Sequence, residues 1–315
     1  MWKYLDDDTY NKFLLSFNLL KTRDIKRYKK TLYYLSNNID GNYIEYEIPK
    51  NSGGFRIIYE PSKLLKMVQR NILHNILEEK QISKYATAYK KGVSLKDNAL
   101  PHVNAKIILK LDIKNFFDNI TFSMVYNRCF REEIYTKSIG VLLTKLCTYN
   151  NKLPQGAPTS SYISNIVMRK FDETIGKYCS YKSISYTRYS DDLTFSGDFN
   201  VTEVIYLVKS LLKENGFKLN YDKIHVIKRN KRQIVTGLVI NEKINICKEY
   251  KRKIRQEMYY IKKYGVDNHL NKLNIYNKTK YLSNLLGRIN YVIQVTNNKE
   301  FIIYRDMLVW KIKNI

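Results

Sequence analysis

Apolar residues recur along this chain in two rhythms, and the switch between them divides it. Near the start, "LLSFNLLKTRDIKRYKKTLYYL" mixes apolar and basic positions in a helical pattern. "YIEYEIPKNSGGFRIIYEPS" then reads as two strand-like pieces around Asn51-Ser52-Gly53-Gly54, a hairpin. Pro61 and Ser62 open a helix whose stripe is Leu64, Leu65, Val68, Ile72, Leu73, Ile76 and Leu77. The run Ile107 to Leu111 is a buried strand that ends at Asp112. A helix through Leu142, Leu143 and Leu146 leads to the loop "NNKLPQGAPTS" and an amphipathic helix, Tyr162 to Tyr178. After a strand pair in "YTRYSDDLTFSG" come a helix from Val201 to Asn215 and strand-like pieces at Ile224 to Lys228 and Ile234 to Ile240. From Cys247 onward only helical stripes remain. One runs through Tyr250, Ile254, Met258 and Ile261, another through Leu282, Leu285, Leu286, Ile289 and Ile293, and a third through Phe301, Ile302, Leu308 and Val309. The pattern predicts an α+β region over residues 1–245 and a helical region over 246–315.

Asp191 and Asp192 interrupt the strand pair. Two adjacent carboxylates between strand formers can simply make the turn, since aspartate is favoured there. They can also hold a cation. Mg²⁺ takes hard oxygen ligands and is held by one or two carboxylates together with substrate phosphates. A third acid elsewhere is needed to decide. Asp112, at the end of a buried strand, occupies the position where ligand-binding groups emerge from a sheet. It lies 79 positions before Asp191, so convergence requires the hairpin to lie beside its strand.

Composition narrows the partner. The 315 residues hold 55 Lys and Arg against 29 Asp and Glu, a formal charge of +26. Such a surplus repels itself in a compact state, and a polyanion is its natural counterpart. The 28 tyrosines add faces on which bases can stack. Residues 246–315 carry 15 Lys and Arg against 5 Asp and Glu, so the helical tail is the more basic part. Cys129, Cys147, Cys179 and Cys247 are too scattered for a zinc site or a disulfide framework. "MWKYLDDDTYNKF" lacks the apolar stretch of a signal peptide, and an intracellular, cytoplasmic protein is expected.

Four ordered segments resemble one family. "RYSDDLTFSG" is similar to the Y-x-D-D signature of reverse transcriptases, and "LDIKNFFDNI" to the motif that carries their first metal-binding aspartate. "LPQGAPTSSYISNIV" resembles their P-Q-G motif, and "GGFRIIYEPSKLLKMVQRNIL" their fingers. "DNALPHV", with Asn98, Ala99 and His102, fits the N-A-x-x-H pattern of retron reverse transcriptases. Val235, Thr236 and Gly237 fit the V-T-G pattern of the same group, and "LLGRINYVIQV" resembles its thumb helix. Ser190 departs from the alanine more frequent in the family.

The resemblance implies a right-hand polymerase fold, with fingers and an antiparallel palm sheet to residue 245 and a helical thumb over 246–315. It implies that Asp112, Asp191 and Asp192 bind Mg²⁺, with the Ile113 carbonyl as a further ligand. Phe116 becomes the gate against a nucleotide 2′-OH, core packing being the expectation for Phe117. Gln155 lies against the incoming dNTP, and Arg56 and Lys50 are candidates for its triphosphate. Asn98 and His102 either fix local structure or touch RNA. Val235, Thr236, Gly237, Lys251, Arg252, Arg255 and Arg288 are expected on the RNA side. The implied partners are a structured non-coding RNA serving as template and primer, its msDNA product, and an effector protein in antiphage defence. Two other readings stay open. One is an intron-type or other bacterial reverse transcriptase, which the short stretch after the thumb disfavours. The other is a non-catalytic RNA-binding scaffold, which three uncompensated acids disfavour.

Overall fold

The strand that ends at Asp112 organises the first half of the molecule. In the computed structural model, which describes residues 6–50 and 53–313, β3 (Ile107–Asp112) lies inside a four-stranded sheet. The sheet order is β4 (Ser185–Tyr189), β5 (Asp192–Gly197), β3 and β6 (His225–Lys228). Ile108, Leu109 and Leu111 are all buried, as a strand covered on both faces requires.

The chain forms two compact units. The first comprises residues 1–93, 109–195 and 199–225. It begins with α1 (Asp7–Ser16) and α2 (Ile25–Asn37), followed by the hairpin of β1 (Tyr43–Pro49) and β2 (Phe55–Pro61). That hairpin pairs antiparallel from Tyr43↔Pro61 to Pro49↔Phe55. Its predicted turn residues Asn51 and Ser52 lie outside the described residues. The predicted helix start is found: the Ser62 hydroxyl accepts from the Leu65 amide and caps α3 (Lys63–Ile72). A π-helical turn, Leu73–Leu77, continues it. Three further helices, α5 (Phe122–Cys129), α6 (Lys137–Cys147) and α7 (Ser160–Tyr181), pack with α8 (Val201–Glu214) around one apolar core. Leu143, Met168, Phe171, Phe195 and Val208 are among its fully covered members. Each such side chain contributes about 1.5–3 kcal/mol by leaving water. Burial keeps the thiols of Cys147 and Cys179 protonated, both pushed up to about 12.

The second unit comprises residues 94–108, 196–198 and 226–315. It contains α4 (Leu95–Ala99), opened by a capping box between Ser94 and Asp97. The stretch expected as one strand, Ile234 to Ile240, instead folds back on itself. Thr236 and Gly237 adopt φ of +44° and +82°, which splits it into β7 (Ile234–Val235) and β8 (Leu238–Val239). With β9 (Asn245–Ile246) these form a small antiparallel sheet. The three predicted stripes become α9 (Lys248–Lys272), α10 (Lys278–Thr296) and α11 (Lys299–Lys313). Gly265, at φ +80° and ψ 167°, breaks α9, a conformation open to glycine without steric penalty. No helix among the described residues is long and apolar enough to cross a membrane.

His102 is buried in this unit, with Nδ1 2.7 Å from the Ser196 hydroxyl. Burial lowers its pKa from 6.5 to about 4. The neutral ring therefore stabilises the fold above pH 6.5, and that contribution is lost as pH falls through 4. The depression corresponds to about 3 kcal/mol. Urea unfolding of wild type and His102→Gln at pH 7 and pH 4 checks this. We expect the wild-type advantage to shrink by about that amount at the lower pH.

Candidate active site

The β4–β5 turn brings the acids together. Asp191 occupies the turn and Asp192 begins β5, so the hairpin tip and the carboxylate cluster are one object. The Ile113 amide donates to the Asp191 carbonyl at 3.1 Å, which fastens the tip to the end of β3 where Asp112 sits. This is the adjacency that sequence spacing left open. Burial raises the pKa of Asp191, and the nearby Asp112 charge adds to the effect. Asp192 is raised by burial and by Asp191. Three acids thus share a poorly solvated corner where their charges oppose one another.

A cation already meets the third. Lys223 Nζ lies 2.8 Å from one Asp112 oxygen, and Asn220 Nδ2 donates to the other at 3.0 Å. The Lys223 pKa is raised, first by its hydrogen bond to Asp112. Asn220 also donates its amide to the Asp112 carbonyl at 2.8 Å. No three acidic, histidine or cysteine side chains among the described residues already converge as a metal cluster. The acids nevertheless offer what a hard divalent cation takes, carboxylate oxygens, and the Lys223 ammonium stands where positive charge is wanted.

Sequence reasoning missed the support beneath the turn. Ser190 adopts φ +61°, which two-residue hairpin turns use but side chains other than glycine rarely do. Arg188, fully buried on β4, donates Nη1 to the Ser190 carbonyl at 2.9 Å. Its Nε and Nη2 grip both oxygens of buried Asp172 on α7 at 2.8 and 2.7 Å. Tyr186 adds its hydroxyl to Asp172 at 2.9 Å. From the other side the Tyr89 hydroxyl donates to Ser190 Oγ at 3.2 Å. The serine found where the family more often has alanine therefore carries a hydrogen bond. Arg188 stands three residues from Asp191 in the quoted motif; Lys223 and Asn220 have no motif signal, being more than 100 positions from Asp112.

The nucleotide-side residues are less gathered. The Gln155 carbonyl accepts from the Tyr59 amide at 2.7 Å, which docks the P-Q-G loop on β2. A Cβ on Gly156, at φ +121°, would lie 2.6 Å from the Tyr59 carbonyl, so only glycine fits. Arg56 and Lys50 are exposed on the β1–β2 hairpin and make no ion pair among the described residues. Phe116 is only 3% exposed and packs on Phe117 and Phe217, whereas Phe117 is half-buried. The more deeply packed ring is thus the expected gate, not its neighbour.

In the second unit Asn98 and His102 are 1% and 0% exposed. Asn98 Nδ2 donates to the Thr236 hydroxyl at 3.3 Å, joining the N-A-x-x-H and V-T-G segments. This burial suits the first of their two expected roles, fixing local structure. Val235 is also fully buried, while Gly237 is exposed. Two thumb arginines expected on RNA are engaged elsewhere. Arg255 holds Glu300 of α11 through bonds of 2.8 to 3.0 Å, and Arg288 donates Nη1 to Glu257 of α9 at 2.9 Å. Lys251 donates to Asn245 at 2.9 Å, and Arg252 stays exposed.

The reverse transcriptase (RNA-dependent DNA polymerase) family matches residues 48–283. The retron Ec86 reverse transcriptase of Escherichia coli is 35% identical over 237 residues, 74% of each chain. The chain is a member of the retron reverse transcriptases. The Ec83 enzyme of Escherichia coli is 34% identical over 245 residues, covering 72% of this chain and 78% of that one. The Mx65 enzyme of Myxococcus xanthus is 32% identical, over 69% of this chain and 56% of its own. Among solved structures, a Candida albicans telomerase in complex with a fragment of telomeric RNA aligns over 91% of this chain and 68% of that one, at TM-score 0.46 and 13% identity. This retron enzyme is an RNA-directed DNA polymerase with the right-hand fold of its family.

Two measurements probe the site. Asp191→Asn with Asp192→Asn should abolish dNTP incorporation and leave RNA affinity within about twofold, because backbone grip and metal binding use different residues. The same variant should melt higher than wild type without metal at neutral pH, since it removes buried like charges; an unchanged or lower melting temperature contradicts the repulsion. Arg188→Met alone should lose about 3–5 kcal/mol of stability by stranding Asp172. Adding Asp172→Leu should restore most of the stability but not kcat, because the Ser190 carbonyl remains unheld. Joint recovery of stability and kcat would show that Arg188 serves folding alone.

Proposed function

We propose that this enzyme copies its own structured non-coding RNA into DNA, starting from the 2′-OH of an internal guanosine, to give a branched RNA–DNA molecule. Residues 1–245 act as fingers and palm, and 246–315 as the thumb that holds the product duplex. The observation that carries this reading is the similarity to retron enzymes over three quarters of the chain, together with the Asn98–Thr236 bond that ties two segments resembling retron patterns.

In this reading Asp112, Asp191, Asp192 and the Ile113 carbonyl hold Mg²⁺, and Lys223 yields Asp112 when the site is loaded. Bound Mg²⁺ would supply positive charge where phosphoryl transfer builds up negative charge. The chain's own residues do the rest. Arg56 and Lys50, exposed and without carboxylate partners among the described residues, meet the triphosphate, the guanidinium gripping two oxygens at once. Gln155 borders the base, and the Phe116 ring, braced by Phe117 and Phe217, denies room to a 2′-OH. Arg252 and Lys251 touch duplex phosphates, and A-form RNA is recognised by shape and 2′-OH contacts more than by sequence. The branched product then serves antiphage defence with an effector protein, a role drawn from the retron resemblance.

Priming is the step that separates this reading from a generic reverse transcriptase. The folded RNA must hold one hydroxyl about 3–3.5 Å from the α-phosphate. Purified enzyme, its neighbouring non-coding RNA and dNTPs should yield DNA without added primer, and debranching enzyme should split the product into RNA and DNA. A 2′-deoxy substitution at the branch guanosine should stop initiation while leaving RNA binding intact. A product that resists debranching and carries a 3′–5′ junction would overturn the retron priming and keep only the polymerase.

A further inference from the structure

The first unit carries a second cationic feature, made without any residue of the carboxylate site. A groove of about 470 Å³ is lined by Lys80, Arg128, Arg131, Arg169 and Lys170, with Glu173 as its one acid. Its walls come from the segment after the π-helical turn, the last turn of α5, the loop before α6 and the middle of α7. It continues into a neighbouring hollow of about 660 Å³ that shares Lys80, Arg169 and Glu173 and adds Lys84, Lys90 and Lys177 together with two acids, Glu78 and Glu79; Glu78 is already held by Lys91 and His74.

Its charges are mostly uncompensated. Glu173 is committed to Arg169 at 2.8 Å, and Gln81 holds the same guanidinium at 3.1 Å. Arg131 reaches Glu133 at 3.4 Å. Lys80, Arg128 and Lys170 have no carboxylate partner among the described residues. Lys80 is half-buried, its ammonium 5.2 Å from the centre of the Tyr135 ring. Burial lowers its pKa, and the Arg131 charge acts in the same direction. A partly desolvated ammonium beside a guanidinium is unfavourable until an anion arrives.

We propose that this groove is a docking site for the phosphate backbone of RNA, separate from the polymerase site. A protein partner would need aromatic or aliphatic anchors. Such side chains are few here: Ile134 is exposed and Ile166 buried in the groove, and the adjoining hollow adds only half-buried Ile82 and Tyr85. A nucleic-acid backbone needs only cations at intervals, and those are what line both walls. The inference rests on the chain's being an RNA-directed polymerase and does not depend on how synthesis is primed.

The test uses the full chain and a 16-base-pair RNA duplex of mixed sequence, with anisotropy recorded across a KCl series. Lys80→Gln, Arg128→Gln and Lys170→Gln combined should weaken binding about tenfold and reduce the slope of log K against log salt by about 2–3. The charge-preserving set Lys80→Arg, Arg128→Lys and Lys170→Arg should keep both, which separates charge from folding. Turnover on a short annealed DNA primer at saturating template should stay within twofold in either set. Unchanged affinity and slope in the glutamine set would overturn the proposal. So would displacement of the duplex by a few millimolar inorganic phosphate at constant ionic strength, which would mark a small-anion pocket.

Discussion

One buried ion pair underlies the arrangement. Arg188 and Asp172 are both fully shielded from water; Arg188 grips both Asp172 oxygens and the Ser190 carbonyl of the β4–β5 turn, and Tyr186 adds a further bond to Asp172. Removing two charges from water is expensive unless every donor and acceptor is met. Here one further partner of Arg188 is the Ser190 carbonyl, next to Asp191, so satisfying the pair also fixes the turn. The helix that bears Asp172 follows the P-Q-G loop, and that loop is docked on β2 through Tyr59. Strand, helix and fingers hairpin are thereby linked to the geometry of two carboxylates.

The same corner shows stability exchanged for function. Three acids in a poorly solvated space destabilise the fold in the absence of a cation, and the raised pKa values of Asp191 and Asp192 record it. Lys223 offsets part of this by capping Asp112. Its side chain is 56% exposed while Asp112 is 8% exposed, so the lysine can swing away without unpacking anything. A covered acid with a movable cation is a site that can be loaded.

Much of this was legible in the sequence, for identifiable reasons. The run Ile107 to Leu111 named its own buried strand because every residue in it but Lys110 is apolar, and the Ser62 cap announced α3 because capping is local chemistry. The acids were legible as a trio only through ordered motifs, since no periodicity reports which strands become neighbours. What stayed hidden was long-range or inverted in meaning. Lys223 meets Asp112 across 111 positions. Arg255 and Arg288 look like RNA-facing cations because the tail is basic, yet the acids that claim them, Glu300 and Glu257, lie on other helices. Asn98 and His102 are polar letters in a motif, and their burial is not legible from it. The segment Ile234 to Ile240 reads as one strand because a positive φ at Thr236 leaves no compositional trace beyond the glycine after it.

The central claim is that the catalytic turn is held in place before any metal or nucleic acid binds. Hydrogen exchange at the Ile113 amide tests it most directly, because that proton bridges the turn to β3. In the metal-free protein it should exchange as slowly as amides inside β3, opening only with the unit as a whole, and adding divalent metal, RNA and dNTP should slow it little further. An Ile113 amide that exchanges freely until metal and substrate are added would contradict the account.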